Sequence, residues 1–222
     1  MMRDYPNGRT YIYHKMPNRL DAEEKSIMEG GTHWIDRFGE EGYGGGVVTG
    51  LYKKELLLKS GVKFPEKILY EDNYWVAILM LYVKRYFHLA EDLYHYRQRE
   101  DSTVHKKNAM HHVDRLAIEE MKLKTYHDLH IYERYREIIE QDFLREYYCR
   151  TLLTMLVKYD NSPYDVFCHM NRRVMELYPD YKKTELAQNE GIGKILLGLI
   201  DRDLDEVQFM EIKKIILSYY GR

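Results

Sequence analysis

Residues 68–82 read ILYEDNYWVAILMLY, an acidic pair placed between a short apolar run and a long one. The long run predicts a helix over residues 73–85 that is apolar on most sides and therefore mostly buried. Burying a carboxylate is costly unless a partner compensates it, so Glu71 and Asp72 need a reason to lie at the edge of a core. One interpretation is structural: Asp72 caps the helix and Glu71 is solvated. The other is functional, because a carboxylate fixed at a helix start can accept a proton from a hydroxyl group.

The segments around this stretch alternate between helix and strand patterns. Residues 50–61 (GLYKKELLLKSG) predict a short helix that ends at Gly61. Residues 10–15 (TYIYHK) and 86–99 predict strands, and residues 19–31 predict another short helix. This order of elements is typical of an α/β layer. The leucines predicted to face inward on the helix over 50–61 are Leu51, Leu56, Leu57 and Leu58.

The chain has a different pattern after residue 105. Residues 110–129 and 132–159 carry apolar residues at a spacing of three and four, which predicts two helices. A further helix is predicted at the C-terminal end of the chain. We therefore predict an α/β fold followed by a mostly α fold, with an α/β portion over residues 1–105 and a helical appendage over residues 106–222.

A helix start is also predicted within residues 160–165 (DNSPYD). Ser162 is expected as the N-cap, Pro163 at the first helical position and Asp165 in the first turn. Such residues satisfy or avoid the backbone N–H groups that a helix leaves without partners at its start. The helix is expected to run to about Tyr178.

Composition restricts the possible classes of protein. A formal net charge of −2 over 222 residues supplies no basic field to recruit nucleic acid. Cys149 and Cys168 fall in predicted helices without CxxC spacing, so they predict reduced thiols rather than a disulfide or a zinc site. The longest apolar run, residues 75–83, is about half of the ~20 residues that cross a bilayer. These features predict a cytoplasmic protein, with contact at the inner face of the membrane as an option.

An ordered set of residues before position 106 carries a more specific signal. Its members are Leu51, Tyr52, Lys53, Leu56, Gly61, Val62, Phe64, Pro65, Tyr70, Glu71, Asp72, Tyr94, Tyr96, Arg97, Arg99 and Ser102. In this order they resemble the C-terminal part of the catalytic domain of family-2 glycosyltransferases, the inverting GT-A group. In that family the pattern lYkrelL…gi.Fpeg…yED leads into an apolar helix, then a strand, then lYyYr.r..S. The resemblance implies a partial GT-A layer, which is similar to the nucleotide-diphospho-sugar transferases.

The resemblance also implies an activity. Family members transfer a sugar from a nucleotide-sugar donor to an acceptor hydroxyl, with inversion at the anomeric carbon. By resemblance, Asp72 is the general base that deprotonates the acceptor, and Glu71 is its acidic neighbour. The implied acceptor is a cell-surface polysaccharide or a lipid-linked saccharide.

On the donor side, the resemblance implies that Arg97 and Arg99, with Ser102, lie near the diphosphate. The planar guanidinium group of Arg matches phosphate oxygens well; exposed strand charges are the alternative interpretation. A divalent metal, Mg²⁺ or Mn²⁺, is implied as the ion that neutralises the leaving diphosphate. His105 is expected near that metal, with a surface histidine as the alternative.

The family's catalytic domain also has an N-terminal nucleotide-binding half that ends in a DxD motif. No DxD precedes Glu71 in this sequence. Residues 201–205 (DRDLD) spell it twice, but Asp203 or Asp205 is better explained as the cap of the last helix. The sequence is therefore expected to lack the donor-binding half, as a truncated gene product, an expressed fragment or a protein that has lost catalysis.

A second interpretation is a non-catalytic helical module for interaction or dimerisation, derived from such an enzyme. The region over residues 106–222 is long, rich in Tyr and charged on one side, as a scaffold piece is. A sheet that lacks part of its layer exposes an edge and an apolar face, so self-association is also expected.

Overall fold

The computed structural model describes residues 2–4, 10–12, 28–29, 47–86, 93–97, 99, 102–103 and 106–220. The chain forms two compact units. The first comprises Met1–Glu66 and Glu71–Lys106, and the second comprises Lys67–Tyr70 and Lys107–Arg222. The described residues are mostly helical, which confirms the mostly α part of the predicted fold class.

In the described part of the first unit, five short strands form two small sheets. In the first sheet, β1 lies between β2, which is antiparallel to it, and β5, which is parallel to it. In the second sheet, β3 and β4 pair in antiparallel fashion. The strands are β1 (Met2–Asp4), β2 (Thr10–Ile12), β3 (Met28–Glu29), β4 (Arg85–Tyr86) and β5 (His95–Arg97).

The strand predictions are met in part. Strand β2 falls inside the strand predicted over 10–15, and residues 13–15 lie outside the described residues. The strand predicted over 86–99 corresponds to β4 and β5, with residues 87–92 outside the described residues. The helix predicted over 19–31 is wrong at Met28–Glu29, its two described residues, which pair with β4. Pairing with a distant strand supplies backbone hydrogen bonds that local propensity does not anticipate.

Helix α1 (Lys54–Ser60) ends at the predicted residue. Gly61 follows it with φ of 65°, a left-handed conformation that glycine adopts without a Cβ penalty. The prediction that all four leucines face inward is wrong for Leu51 and Leu58. Leu51 precedes the helix and Leu58 lies on its outer side, and their side chains are 103% and 73% exposed.

Helix α2 (Glu71–Met80) is the buried helix predicted over 73–85, shifted toward the N-terminus. Six consecutive residues, from Trp75 to Met80, are buried, so the helix is covered on every side beyond its first turn. The helix is shorter than predicted because Leu81 and Tyr82 turn the chain away, with backbone N–H groups donating to the Ile78 and Leu79 carbonyls. Strand β4 begins shortly afterwards.

In the described part of the second unit, helices dominate. The two helices predicted over 110–129 and 132–159 are confirmed, each preceded by a 3₁₀ turn. The α-helices are α3 (Asp114–Asp128), α4 (Arg136–Phe143), α5 (Thr151–Lys158), α6 (Tyr164–Leu177), α7 (Glu185–Gln188), α8 (Ile192–Leu197) and α9 (Glu206–Tyr220). Single 3₁₀ turns cover Val47–Thr49, Met110–Val113, Glu133–Tyr135 and Tyr181–Lys183.

A π-helix, Leu144–Arg150, joins α4 to α5. Its wider turn has hydrogen bonds between residues five apart. The Thr151 hydroxyl donates to the Glu146 carbonyl, also five residues back, at 3.1 Å. Tyr148 lies in this segment, is fully buried and donates from its hydroxyl to Asn171 Oδ1 at 2.7 Å. The π-helix therefore lies in the core of the second unit rather than at its surface.

The predicted cap at Ser162 is wrong. Helix α6 begins at Tyr164 with Pro163 at the N-cap position, and no side chain caps it. Ser162 is buried, and its hydroxyl donates to the Met155 carbonyl in α5 at 2.9 Å. The Met155 carbonyl also accepts the Tyr159 backbone N–H at 3.2 Å, so the Ser162 hydroxyl adds a second hydrogen bond at the end of α5. The predicted end near Tyr178 is confirmed, since α6 ends at Leu177.

Helix α9 begins with a reciprocal cap. The Asp205 carboxylate accepts a hydrogen bond from the Gln208 backbone N–H at 2.8 Å, and the Gln208 side-chain oxygen accepts one from the Asp205 N–H at 3.0 Å. This arrangement is a capping box. It confirms the prediction that an Asp of DRDLD caps the last helix. Asp201, the first Asp of that motif, accepts hydrogen bonds from Tyr181 and Lys182.

Replacing Asp205 with Ala is expected to lower the free energy of unfolding by about 1 kcal/mol, because the Gln208 backbone N–H loses its carboxylate acceptor. Urea unfolding measures this change. The control is Asp203→Ala, an exposed carboxylate of the same motif for which the structure gives no capping bond. Equal midpoints for the two variants would contradict the cap.

Both cysteines are free thiols in helical segments, as predicted. Cys149 is buried in the π-helix, and burial raises the pKa of its thiol to about 12. Cys168 is half-buried in α6. A thiol with a high pKa carries little thiolate at neutral pH, so Cys149 serves packing rather than reactivity. None of the helices in the described part of the chain has the length and apolar composition that crossing a bilayer requires.

Candidate functional site

Glu71 and Asp72 are the first two residues of α2, and both are half-buried. Asp72 therefore lies inside the first turn, and the expectation that it is the N-cap residue is wrong. A carboxylate in the first turn is favoured by the positive end of the helix dipole. Among the described residues, neither carboxylate joins a hydrogen bond or an ion pair in this structure. Within the described ranges, the pair is thus positioned by the backbone of α2 without a hydrogen-bonded or ion-paired side chain.

Aromatic packing holds the next turn of α2 in place. Trp75, three residues after Asp72 and on the same side of the helix, is 5% exposed. The Phe64 ring stacks on it with centroids 4.7 Å apart and planes at 7°, and the Tyr52 ring meets it edge-on at 5.1 Å. Leu56 and Val62 pack against the same cluster. Four residues that carry the family resemblance, Tyr52, Leu56, Val62 and Phe64, therefore pack against the helix that carries Asp72.

Burial also fixes the charge state of one ring in this group. It raises the pKa of the Tyr52 hydroxyl above its ordinary value of 10.0. Tyr52 is therefore neutral at physiological pH and contributes a rigid edge-to-face contact to Trp75. Phe64 differs from Tyr52 and Trp75 in being 42% exposed, so the stack reaches the surface of the first unit.

The residues expected on the donor side lie in and after β5. Arg97 is the last residue of that strand, and both Arg97 and Arg99 are exposed. Ser102 is half-buried, and its backbone N–H donates to the Arg99 carbonyl at 3.2 Å. No hydrogen bond or ion pair among the described residues joins these three to Asp72. His105 lies outside the described residues.

No three His, Cys, Asp or Glu side chains in the described part of the chain lie close enough to hold a metal ion. The described residues therefore do not form a site for the divalent metal that the resemblance implies. The divalent metal therefore stays a prediction.

Sequence reasoning missed a second charged group, which lies in the second unit. Lys122 donates to Glu119 Oε2 at 2.7 Å and to Asp142 Oδ2 at 2.9 Å. All three residues are buried, with exposures of 3%, 2% and 8% in that order. The sequence shows only Glu and Lys three residues apart on an amphipathic helix, a pattern that is usual on a solvated face. Asp142, which is buried in the facing helix α4, shows that this Glu–Lys pair lies in the core rather than on a solvated face.

Comparison with known proteins gives no further assignment: no family model, no curated protein sequence and no solved structure matches the chain. The resemblance to family-2 glycosyltransferases therefore stays a prediction that rests on the quoted residues alone. The geometry adds that Asp72 lies in the first turn of α2 and that the Tyr52 and Phe64 rings pack against Trp75 of the same helix.

Proposed function

We propose that the first unit is the acceptor-binding part of an inverting glycosyltransferase, with Asp72 as its general base. One observation carries the proposal: an uncommitted carboxylate pair occupies the first turn of a helix whose remaining turns are buried. Buried structural carboxylates are normally paired or hydrogen-bonded. A half-buried pair without such partners is what binding to an incoming hydroxyl group requires.

The proposed reaction uses Asp72 as a proton acceptor. The acceptor hydroxyl gives its proton to the Asp72 carboxylate as its oxygen forms a bond to the anomeric carbon of the donor sugar. The bond from that carbon to the diphosphate oxygen breaks on the opposite side, and the electron pair leaves with the nucleoside diphosphate. Attack from the opposite side inverts the anomeric centre. Glu71, its neighbour, is proposed to contact the acceptor.

The aromatic cluster supports this role mechanically. A general base must lie within hydrogen-bond distance of the proton that it accepts, and small displacements reduce the rate strongly. Trp75 fixes the helix one turn after Asp72, and the Phe64 and Tyr52 rings fix Trp75. The position of Asp72 is thereby set by packed rings rather than by a flexible loop.

The remaining parts of the proposal follow from the resemblance. The first unit belongs to a GT-A layer, of which β1, β2 and β5 are strands. Exposed Arg97 and Arg99 bind the donor diphosphate with Ser102, and His105 lies near the divalent metal of the complete enzyme. Such a metal, when bound, neutralises the leaving diphosphate. The acceptor is a polysaccharide or a lipid-linked saccharide at the inner face of the membrane.

The test is sugar transfer by the protein isolated from cells that carry the intact gene. Release of nucleoside diphosphate is measured with a panel of nucleotide sugars and a saccharide or glycolipid extract of the same cells. The wild type is compared with Asp72→Asn and with Asp165→Asn, a control carboxylate at the second position of helix α6. Transfer by the Asp72 variant at the wild-type rate would exclude Asp72 as the base.

A non-catalytic interaction module is the second candidate, and exposed apolar side chains favour it. Leu51 and Leu58 in the first unit are exposed, as are Val207, Ile215 and Tyr219 on α9. Contiguous exposed apolar patches are typical of surfaces that bind another protein. Ile215 and Tyr219 are four residues apart and therefore lie on one face of α9. Sedimentation equilibrium of the full chain tests self-association, and a monomer at all concentrations would count against a dimerisation role.

A further inference from the structure

The buried charged group of the second unit is built around a single ammonium. Two carboxylates, Glu119 from α3 and Asp142 from α4, each use one oxygen to accept a hydrogen bond from Lys122. Their other oxygens, Glu119 Oε1 and Asp142 Oδ1, are buried and have no hydrogen-bond partner. A buried oxygen without a hydrogen bond is costly. Asp142 Oδ1 has the Arg145 guanidinium at 3.8 Å as an ion-pair partner, whereas Glu119 Oε1 needs a proton or a water molecule.

A small cavity lies at this group. Glu119, Lys122 and Asp142 line it, together with the apolar side chains of Leu123, Ile139 and Phe143. It has room for about one water molecule. A cavity of that size holds water when it offers at least two polar partners. Glu119 and Asp142 line the cavity and supply carboxylate groups for this role.

The charges around Glu119 come from both helices. Lys122 and Arg115 lie on its own helix, and Tyr126 of that helix also lines the cavity. From the facing segment come Asp142 and Glu146, with Arg145 at 3.8 Å from Asp142 and Arg150 at 3.4 Å from Glu146. The acidic side chains next to Glu119 therefore oppose its negative charge, and Lys122 donates a hydrogen bond to it.

We propose that Glu119, Asp142 and the cavity form an internal site that binds one proton and one water molecule, and that loss of the proton loosens the packing of α3 on α4. In the protonated state Glu119 Oε1–H donates to the water, and the water donates to Asp142 Oδ1. This arrangement gives every buried oxygen of the pair a partner. In the deprotonated state Glu119 and Asp142 share the Lys122 ammonium, Arg145 lies 3.8 Å from Asp142 Oδ1, and Glu119 Oε1 is left buried without a hydrogen bond.

The environment of Glu119 places this change near neutral pH. Desolvation, the largest cause, raises the pKa of its carboxyl group from 4.5 to about 7; Lys122 opposes the shift and Asp142 adds to it. Between these two pH values the folded chain holds a proton that the unfolded chain has released. Stability is therefore expected to fall as pH rises through this interval, and this group adds no further pH dependence above it.

The experiment compares the full-length wild type with Glu119→Gln, which keeps the shape of the side chain and cannot lose a proton. Urea unfolding from pH 5 to 8.5 gives the ratio of folded to unfolded protein for each. The wild-type ratio, divided by that of the variant, is expected to fall by roughly 100-fold over this range. Glu137→Gln, an exposed glutamate of α4, is the matched control and should follow the wild type.

Carbon-13 NMR of the wild type makes the test independent of whether the variant folds. The Glu119 carboxyl resonance is expected to titrate near pH 7, and magnetisation transfer from a long-lived water is expected at the Phe143 and Leu123 protons. Titration of Glu119 below pH 5, or no such water contact at pH 6, would overturn the proposal. Parallel stability profiles for the wild type and Glu119→Gln would overturn it as well.

Discussion

Replacing Asp72 with Asn should lower the rate of sugar transfer by about 10²–10⁴-fold, the usual contribution of a positioned general base. Asparagine is nearly the same size and can still form hydrogen bonds, but it cannot accept the acceptor proton. The substitution therefore removes the chemical step while leaving most binding contacts in place. A lower kcat with little change in KM is the expected pattern.

The controls separate loss of the base from loss of the fold. Asp165 is the second residue of α6, as Asp72 is of α2. The Asp165→Asn variant therefore shows how much removing a carboxylate from the first turn of a helix affects the protein. It is expected to leave transfer unchanged. Both variants should unfold within about 0.5 kcal/mol of the wild type, as exposed or half-buried polar substitutions usually do. Equal losses of transfer in the two variants would argue for a structural effect.

Replacing Lys122 with Met should lower the free energy of unfolding by about 3–5 kcal/mol at pH 8, because removing one partner of a buried ion pair leaves uncompensated charge. In this protein it leaves two buried carboxylates, Glu119 and Asp142, without their shared donor. Methionine fills a similar volume, so the loss of unfolding free energy is caused by the removed charge rather than by a new cavity. Urea unfolding at fixed pH measures it.

A matched surface lysine provides the control. Lys124, two residues along the same helix, pairs with Asp128, and both side chains are largely exposed, at 75% and 60%. Lys124→Met is expected to change stability by no more than about 1 kcal/mol. The loss in Lys122→Met should shrink at pH 5, where Glu119 carries a proton. A loss of the same small size in both lysine variants would contradict the interpretation of Lys122 as a buried counter-ion.

Elements whose cause is local were predictable from the sequence. Gly61 ends α1 because its left-handed conformation suits glycine, and Asp205 caps α9 because its carboxylate reaches the following backbone N–H groups. The buried helix after Asp72 was predictable because its apolar run is too continuous for a surface helix. In each case the residues that decide the structure are neighbours in the chain.

Elements whose cause is a distant contact were not predictable. Met28–Glu29 forms a strand because Arg85–Tyr86 pairs with it, and no local pattern records that partner. Ser162 fits the sequence pattern of an N-cap, but its hydroxyl donates to the Met155 carbonyl of α5. The sequence pattern around Lys122 indicates a surface residue, whereas in the structure Lys122 donates a hydrogen bond to Asp142 of the facing helix. Asp72 stays a predicted base, and the structure adds that it lies in the first turn of α2 rather than at the N-cap position.

The π-helix at Leu144–Arg150 also has a consequence for how this chain compares with any relative. A π turn holds one residue more than an α turn, and one residue corresponds to about 100° of helix rotation. A relative with an uninterrupted α-helix should therefore be shorter by about one residue between Phe143 and Thr151. An alignment that omits this gap would assign buried positions of α5, such as Leu152 and Met155, to the solvent side of the relative's helix.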